Sequence, residues 1–525
     1  MPNSVKYNTE SEANALRVGN MHIGTGDVPK GPTSTTGFYG GINPPNGGYT
    51  IYENKAASGS SMTCPTSDAE LISITNQIAG ASYTTINECF TYFDGQSDKF
   101  VMHNPINPIV TDGLVLILDA NLIPSYPQSG TDWNDLSGQS ANAEGVNMPT
   151  WNSNGWFTFD GTDDELHSVD MEQEYRDLFF VGRTNKSSGL HMLFGQYNDQ
   201  DDSLRFEGPY LRTAGNIDPN DWQYGAIGDV FINGEFDALA GGNYDLSNRM
   251  NFVRSYRSNN SGFGTSFRYE ISTSFYDRRF TGDLAYILCY NRKLTNSEVL
   301  QNYYQSPIVT DGLVFAIDAG NLVSYENGST TTYSMTGSLS GSLTNGTEYS
   351  SDNGGVFTFD GNNDRINNFS EDIEPAVITI EYWKKWTTVS DDWLIGNQTS
   401  NPIDNNNGFY HRIDSPSYNF IARFGVGSTQ RSVTYNPIVL NEWTHVVTTF
   451  DPVEGVKLYW NSELVSTNTN GGTLSYSNVL GLEIGGANDG SRDTPGPVGP
   501  VRIYDRALTA GEVTQNYNAN INRFN

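Results

Sequence analysis

The sequence predicts a mainly β protein, two tandem jelly-roll β-sandwiches preceded by a small α+β domain. Three observations carry that expectation. First, the 525 residues hold 54 Gly, 30 Tyr and 26 Phe, a turn-rich and aromatic-rich composition that suits strands. Second, short apolar or alternating runs are punctuated by turn signals, with no βαβ rhythm. Third, blocks of sequence recur in order. IVTDGLVLILDANLIPSY (109–126) returns as IVTDGLVFAIDAGNLVSY (308–325), with eleven of eighteen positions identical. WFTFDGTDD (156–164) returns as VFTFDGNND (356–364), and YNRKLTNSEV (290–299) as YDRALTAGEV (504–513). The offsets are 199, 200 and 214, so two related units of about 200 residues follow one another, too long for solenoid repeats. The expected organisation is an N-terminal arm (1–20), a small α+β module (21–108), a first sandwich (109–307) and a second sandwich (308–525).

The arm is polar and unpatterned. Residues 24–50 hold eight glycines and four prolines, which predicts an extended, irregular loop; with no GxxxxGK[ST] run, it is not a phosphate loop. Ser67-x-x-Glu70 is a capping box, and Leu71, Ile74 and Ile78 share one helix face that Gly80 ends. A second helix is expected from Thr85 to before Gly95, then a strand in KFVMH (99–103). Pro105 and Pro108 stiffen the junction with the first sandwich.

Within each unit the elements follow from residue pattern. GLVLILD (113–119) is a continuous apolar run and predicts a strand buried on both faces. In WFTFDG, Phe157 and Phe159 share one strand face and the Asp-Gly that follows makes a turn. NEWTHVVTTFD (441–451) alternates, with Trp443, His445, Val447 and Thr449 on one face and Val446 and Phe450 on the other. GVKLYWNSELVS (455–466) reads as a hairpin about Asn461-Ser462. Each unit ends in an apolar strand (284–290; 501–504) and a capping box, Thr295-x-x-Glu298 or Thr509-x-x-Glu512, opening a helix of two to three turns.

The net charge of −31 repels a phosphate backbone and argues against nucleic-acid binding; it is read chiefly as a solvated surface. No run of 18 apolar residues predicts a membrane span, and MPNSVKYNTE carries no apolar signal-peptide core. Three cysteines, Cys64, Cys89 and Cys289, do not make a disulfide framework. Free thiols are favoured, with Cys289 a small hydrophobe in AYILCY.

Together the blocks DGLVxxxDA, FTFDGxxDxI, EWTHVV with LYWNSELV, and IYDRALTAGEV resemble laminin G-like, concanavalin A-like lectin domains of tailed-bacteriophage virion proteins. The second unit carries the full set. The first lacks a Trp-x-His-Val-Val block, and VFINGEF (230–236) is read as a remnant of its Asn-Gly hairpin. Residues 18–52 also resemble segments of cyanophage structural proteins. The resemblance implies two curved sheets in each sandwich, and glycan binding at loops on one edge, sometimes with Ca2+.

Candidate sites are weighed on that frame. Hydrolases of this fold place acids as Glu-x-Asp-x-(x)-Glu on one strand. The nearest approach, SEDIEP (370–375), spaces Glu371 and Glu374 so that a strand would point them to opposite sides. No catalytic residue is assigned and no enzyme is expected. His445 is read as packed and hydrogen-bonded. Asp160, Asp163 and Asp164, with Asp360 and Asp364, offer oxygen ligands to Ca2+, but capping of an Asp-Gly turn is the preferred reading and no metal site is assigned. The amide-rich loops YNDQDD (197–202) and NPIDNNNG (401–408) are read as solvated tips. Exposed rings would stack on sugars; Trp393 and Tyr410 are candidates without a defined glycan site. The expectation is therefore an external virion structural protein. It attaches to other virion proteins through its N-terminal region, acts as a homo-oligomer, and meets host-surface polysaccharide without entering a membrane. A depolymerase, or pure protein–protein cement, are the alternatives.

Overall fold

The computed structural model describes residues 109–524, apart from 169–174, 197–202, 212–229, 237–243, 257–267, 273–277, 399–405, 428, 437, 478 and 488–491, together with five short strands before residue 104. Those five form one sheet in the order Arg17–Val18, Met21–His22, Phe100–His103, Thr50–Ala56, Thr36–Gly40. Two expectations change here. The arm contains a short strand, and the Gly-rich stretch 24–50 contains Thr36–Gly40, paired antiparallel with 52–56. Phe38 and Tyr39 supply the strand preference between flanking glycines. The helices expected from Ser67 and Thr85, with Cys64 and Cys89, lie outside the described residues.

The chain divides into two compact units, Met1–Gln305 and Ser306–Asn525. In the first, an eight-stranded sheet runs Glu235–Phe236, Val230–Ile232, Asn251–Tyr256, Asp177–Thr184, Thr281–Tyr290, Trp156–Asp160, Thr150–Asn152, with Leu114–Asp119 also paired to Thr281–Tyr290. A seven-stranded sheet runs Tyr210–Leu211, Ser203–Glu207, Leu190–Gln196, Tyr269–Ile271, Glu165–Ser168, Ala143–Asn147, Asp132–Trp133. Leu116, Leu118, Phe157, Phe159 and Cys289 from one sheet meet Leu166, Phe194, Phe206 and Ile271 from the other in one core. Period-2 alternation puts both phenylalanines of FTF on that side.

The second unit repeats the plan. One eight-stranded sheet runs Glu348–Ser350, Val356–Asp360, Pro495–Tyr504, Ile378–Lys385, Trp443–Asp451, Gly455–Trp460, Glu463–Asn468, with Leu313–Ile317 on Pro495–Tyr504. The other runs Thr331–Tyr333, Ser340–Thr344, Arg365–Asn367, Glu483–Ile484, Trp393–Gly396, Phe409–Asp414, Asn419–Val426, Thr429–Tyr435. Phe315, Phe357, Phe359, Val446 and Phe450 pack against Ile366, Phe409, Phe424 and Ile484.

Each unit closes with its capped helix, α1 (Asn296–Tyr304) or α2 (Ala510–Phe524). Thr295 caps α1 with Glu298 reaching back to it, and Thr509 and Glu512 make the same bonds. Arg292 and Arg506 each grip the capping glutamate, with Nη2 2.6 Å from Oε1 in both. Glu298 and Glu512 are thereby held at about 2, chiefly by those arginines. α2 is longer than expected, fifteen residues against nine for α1, because Val513, Asn516, Asn520 and Phe524 keep one side buried. α1 ends where Gln305 turns left-handed, two residues before Pro307.

Among the described residues the two units differ in the chain order of one hairpin and its neighbouring strand. In the second, Trp443–Asp451 precedes the hairpin of Gly455–Trp460 and Glu463–Asn468. In the first, the hairpin Val230–Ile232/Glu235–Phe236 comes first and its neighbour, Asn251–Tyr256, follows. The places are nevertheless equivalent. Asn233 and Asn461 both sit at the hairpin turn with positive φ, and each side-chain oxygen accepts from the neighbouring strand, from Phe252 N–H at 2.9 Å and His445 N–H at 2.9 Å. The Trp-x-His-Val-Val block of the second unit thus has its spatial counterpart in NFVRSY, displaced to the other side of the hairpin in chain order.

Candidate functional site

Both terminal helices go to the eight-stranded sheet that contains the final strand of each unit. Tyr303 of α1 packs on Phe231 and Phe252 at 5.2 Å each, and Phe524 and Tyr517 of α2 stack on Trp383 at 4.7 and 5.6 Å. The outer face of the opposite sheet, here called the open sheet, carries no terminal helix.

In the second sandwich Trp393 and Tyr410 meet on this face. Their rings stack at 4.3 Å and 15°, and the guanidinium carbons of Arg412 and Arg423 lie 5.7 and 5.2 Å from the Tyr410 ring centre. The rings are only 3% and 1% exposed. The pair is therefore a packed platform with arginines against it, and not the open stacking surface that residue type suggested. Beside it, Arg365 bridges two acids, with Nε 2.9 Å from Glu483 Oε1 and Nη2 against Asp493.

The first sandwich carries a different set at the same place. Glu165 and His167 occupy the positions of Arg365 and Asn367, four residues or more past matching FTFDG blocks. Leu166 pairs with Ile271 as Ile366 pairs with Ile484, which makes Glu270 the counterpart of Glu483. Met192 bridges to Arg279 as Trp393 bridges to Asp493. The ion pair is thus inverted, Arg365–Asp493 in one copy and Glu165–Arg279, at 3.7 Å, in the other. His167 Nε2 contacts Glu165 Oε1 and lies 4.0 Å from Glu270 Oε2. Sequence reading missed this group; the alternation of Glu165 and His167 in ELHS was its one visible signal.

The Asp-Gly turns use their carboxylates internally. Asp164 Oδ2 accepts from Asp160 N–H at 2.7 Å, and Asp160 Oδ1 from Thr162 N–H at 2.6 Å. Asp364 and Asp360 repeat those bonds at 2.8 and 2.7 Å, the second to Asn362. Burial pushes the Asp164 and Asp364 carboxyls upward. Asp160, Asp163 and Asp164 still bring three carboxylate oxygens within 4.8 Å of one another.

His445 is fully buried and packed, as expected, with its ring 5.0 Å from Trp383 and 5.7 Å from Tyr517 of α2. Its Nε2 lies 3.2 Å from Glu381 Oε1, and Arg502 Nη1 and Asn516 Nδ2 donate to the same carboxylate at 2.7 and 2.6 Å. Burial works against that charge, but Arg502, His445 and Asn516 outweigh it and hold Glu381 at about 2. The network locks α2 to its sheet. Lys384 is buried nearby in sequence, donates to Pro495 O and Gly496 O at 2.5 and 3.0 Å, and is pulled down to about 7 by burial. Glu371 and Glu374 lie outside any strand, both exposed. Residues 197–202 and 401–405 lie outside the described set. Asn407 accepts a hydrogen bond from the Ser475 hydroxyl.

Residues 360–514 match the model of the concanavalin A-like lectin/glucanases superfamily. No curated protein sequence matches the chain. Among solved structures, domain 4 of AbnA, a GH43 extracellular arabinanase from Geobacillus stearothermophilus in complex with arabinotriose, is 16% identical with a TM-score of 0.32, over 39% of this chain and 98% of that one. The botulinum neurotoxin type G receptor binding domain is 16% identical with a TM-score of 0.31, over 40% of this chain and 51% of its own. A SAP-like pentraxin from Limulus polyphemus is 19% identical with a TM-score of 0.22, over 27% of this chain and 69% of its own. The chain spans about half the length of the botulinum domains it matches. With its paired sheets in each unit and the match across the second, the chain is mainly β and carries concanavalin A-like lectin-type β-sandwiches.

Proposed function

We propose that this chain is a structural display protein of a tailed-phage particle. Its N-terminal residues bind other virion proteins, and its two sandwiches face outward to touch host-surface polysaccharide. One observation carries the reading: a lectin-type sandwich is present twice, each copy with its terminal helix packed on one of its two sheets. Many copies of such a chain on a particle turn weak glycan contact into avidity, so it works as a homo-oligomer on the outside of the virion. The particle itself rests on the sequence resemblance of residues 18–52 and of the repeated blocks. Mass spectrometry of purified virions tests that half, and the chain's absence from them overturns it. A broad glycan array tests the other half; no binding across it leaves the cement reading.

The protein acts without catalysis in this proposal. Glu165 and Glu270 both face His167, and Glu165 also faces Arg279. No reducing ends should be released from host polysaccharide; release abolished by Glu165→Gln would establish the depolymerase instead.

A further inference from the structure

We propose that the open sheet of the first sandwich holds a divalent transition-metal ion of zinc type, ligated by Glu165, His167 and Glu270. Strand alternation sends Glu165 and His167 to the same outer face while Leu166 between them fills the core. The neighbouring strand pairs in a register that sets Glu270 directly opposite His167. One ligand atom from each side chain lies within 4.8 Å of the other two. Three side chains thus converge from two adjacent strands of a rigid sheet, which is a firmer base for a metal than a loop.

The second sandwich shows what the same place holds in the other copy. At the same place it keeps one acid, Glu483, and adds Asp493, and the guanidinium of Arg365 lies against both. A positive charge built into the chain fills the spot. In the first sandwich the retained acid is Glu270, the arginine position has become Glu165 and the asparagine position has become His167. The exchange puts two metal-ligating side chains beside the carboxylate common to both copies and moves the arginine to the other side of the ion pair. Arg279 stands where Asp493 stood and faces Glu165 Oε2 at 3.7 Å, while Oε1 faces His167. The two oxygens of Glu165 are therefore divided between an orienting arginine and the cluster, as metal-binding carboxylates commonly are.

The donor set selects the ion. One imidazole nitrogen and two carboxylate oxygens suit zinc and its first-row neighbours, whereas Ca2+ takes six to eight oxygens. Glu165 and Glu270 are 8% and 2% exposed at the side chain and His167 17%, so the imidazole marks the side open to entry. The site is distinct from the Asp160 turn and needs no glycan.

The test is calorimetric titration of the full-length protein, stripped with chelator, against zinc chloride alone. The wild type should bind one equivalent more than His167→Ala, and Glu270→Gln should weaken that equivalent at least tenfold. Counting the difference removes zinc taken up by other histidines or cysteines. A second variant guards against misfolding: Glu165→Arg, His167→Asn and Arg279→Asp together install the residues of the other sandwich. It should melt as a folded protein and lack the equivalent, and zinc should raise the melting temperature of the wild type only. Equal stoichiometry and affinity in wild type and in the folded triple variant would overturn the proposal, as would a response at these residues to calcium chloride but not to zinc.

Discussion

Asn302 and Asn516 make the same two bonds in the two sandwiches. The side-chain oxygen of each accepts from the backbone four residues before the opening strand, from Val110 N–H at 2.8 Å and Val309 N–H at 2.7 Å. The amide of each donates to a tyrosine at the end of the last strand, Tyr290 at 3.0 Å and Tyr504 at 2.9 Å. One buried side chain therefore ties the helix, the segment leading into the first strand and the last strand together in each copy. Replacing Asn302 or Asn516 with alanine leaves a buried backbone N–H unpaired and takes one bond from a tyrosine hydroxyl that still donates to Val110 O or Val309 O, and should cost about 2–3 kcal/mol. Denaturant titration of the full chain would show it as a lower midpoint, with Asn516→Ala the larger loss because that amide also donates to Glu381.

The hairpin turns differ by one residue type. Asn233-Gly234 and Asn461-Ser462 both hold positive φ at both positions, with Ser462 at 69°. Glycine adopts that conformation without strain and serine does not. Ser462→Gly should raise stability by about 0.5–1 kcal/mol, read as a later melt of the second sandwich. Gly234→Ser should lower it by a similar amount.

Acid stability should turn on Glu381. Its carboxyl is held at about 2 in the fold against an ordinary 4.5, so its contribution is complete above 4.5 and is lost as pH falls toward 2. Asp119 runs the other way. Burial raises it to about 6 from 3.8, so its contribution is present below 3.8 and disappears as pH rises through 6. Urea midpoints measured from pH 2 to 7 should fall steeply below 4.5 in the wild type. Glu381→Gln should flatten that limb, and Asp119→Asn should remove the shallow decline between 4 and 6.

Cys289 is wholly buried in the first core, and burial pushes its thiol well above its ordinary range. It should be inert to a thiol-specific reagent in the native protein. Cys289→Ala should remove one reactive thiol from the unfolded protein and none from the folded one.

Much of the fold could be read from local pattern. The apolar run 113–119, the paired rings of FTF, the Asn461-Ser462 turn and both capping boxes depend on neighbours within a few residues, where period and propensity act. The partner of Glu381 could not be read that way: Arg502 is 121 residues away, and only the pairing of Ile378–Lys385 with Pro495–Tyr504 brings them together. The same holds for His167 and Glu270, opposed by register rather than by spacing. The first sandwich's missing Trp-x-His block escaped for another reason. A search that keeps block order cannot find a strand that has moved past its hairpin. Residue type points to Trp393 and Tyr410, but not to the arginines against them: Arg412 lies two residues along Tyr410's own strand, and Arg423 comes from the adjacent strand by register.

The strand that ends each sandwich has a consequence for synthesis. Thr281–Tyr290 pairs with Leu114–Asp119, Trp156–Asp160 and Asp177–Thr184, and Pro495–Tyr504 holds three equivalent partners. While a ribosome is still upstream of that strand, the earlier ones have a gap where their common neighbour belongs. A nascent first copy thus stays incomplete until its own last strand emerges, and then closes before the second copy has been translated. Chains cut short by a premature stop inside a copy should leave that copy open and prone to proteolysis, while the one already finished survives.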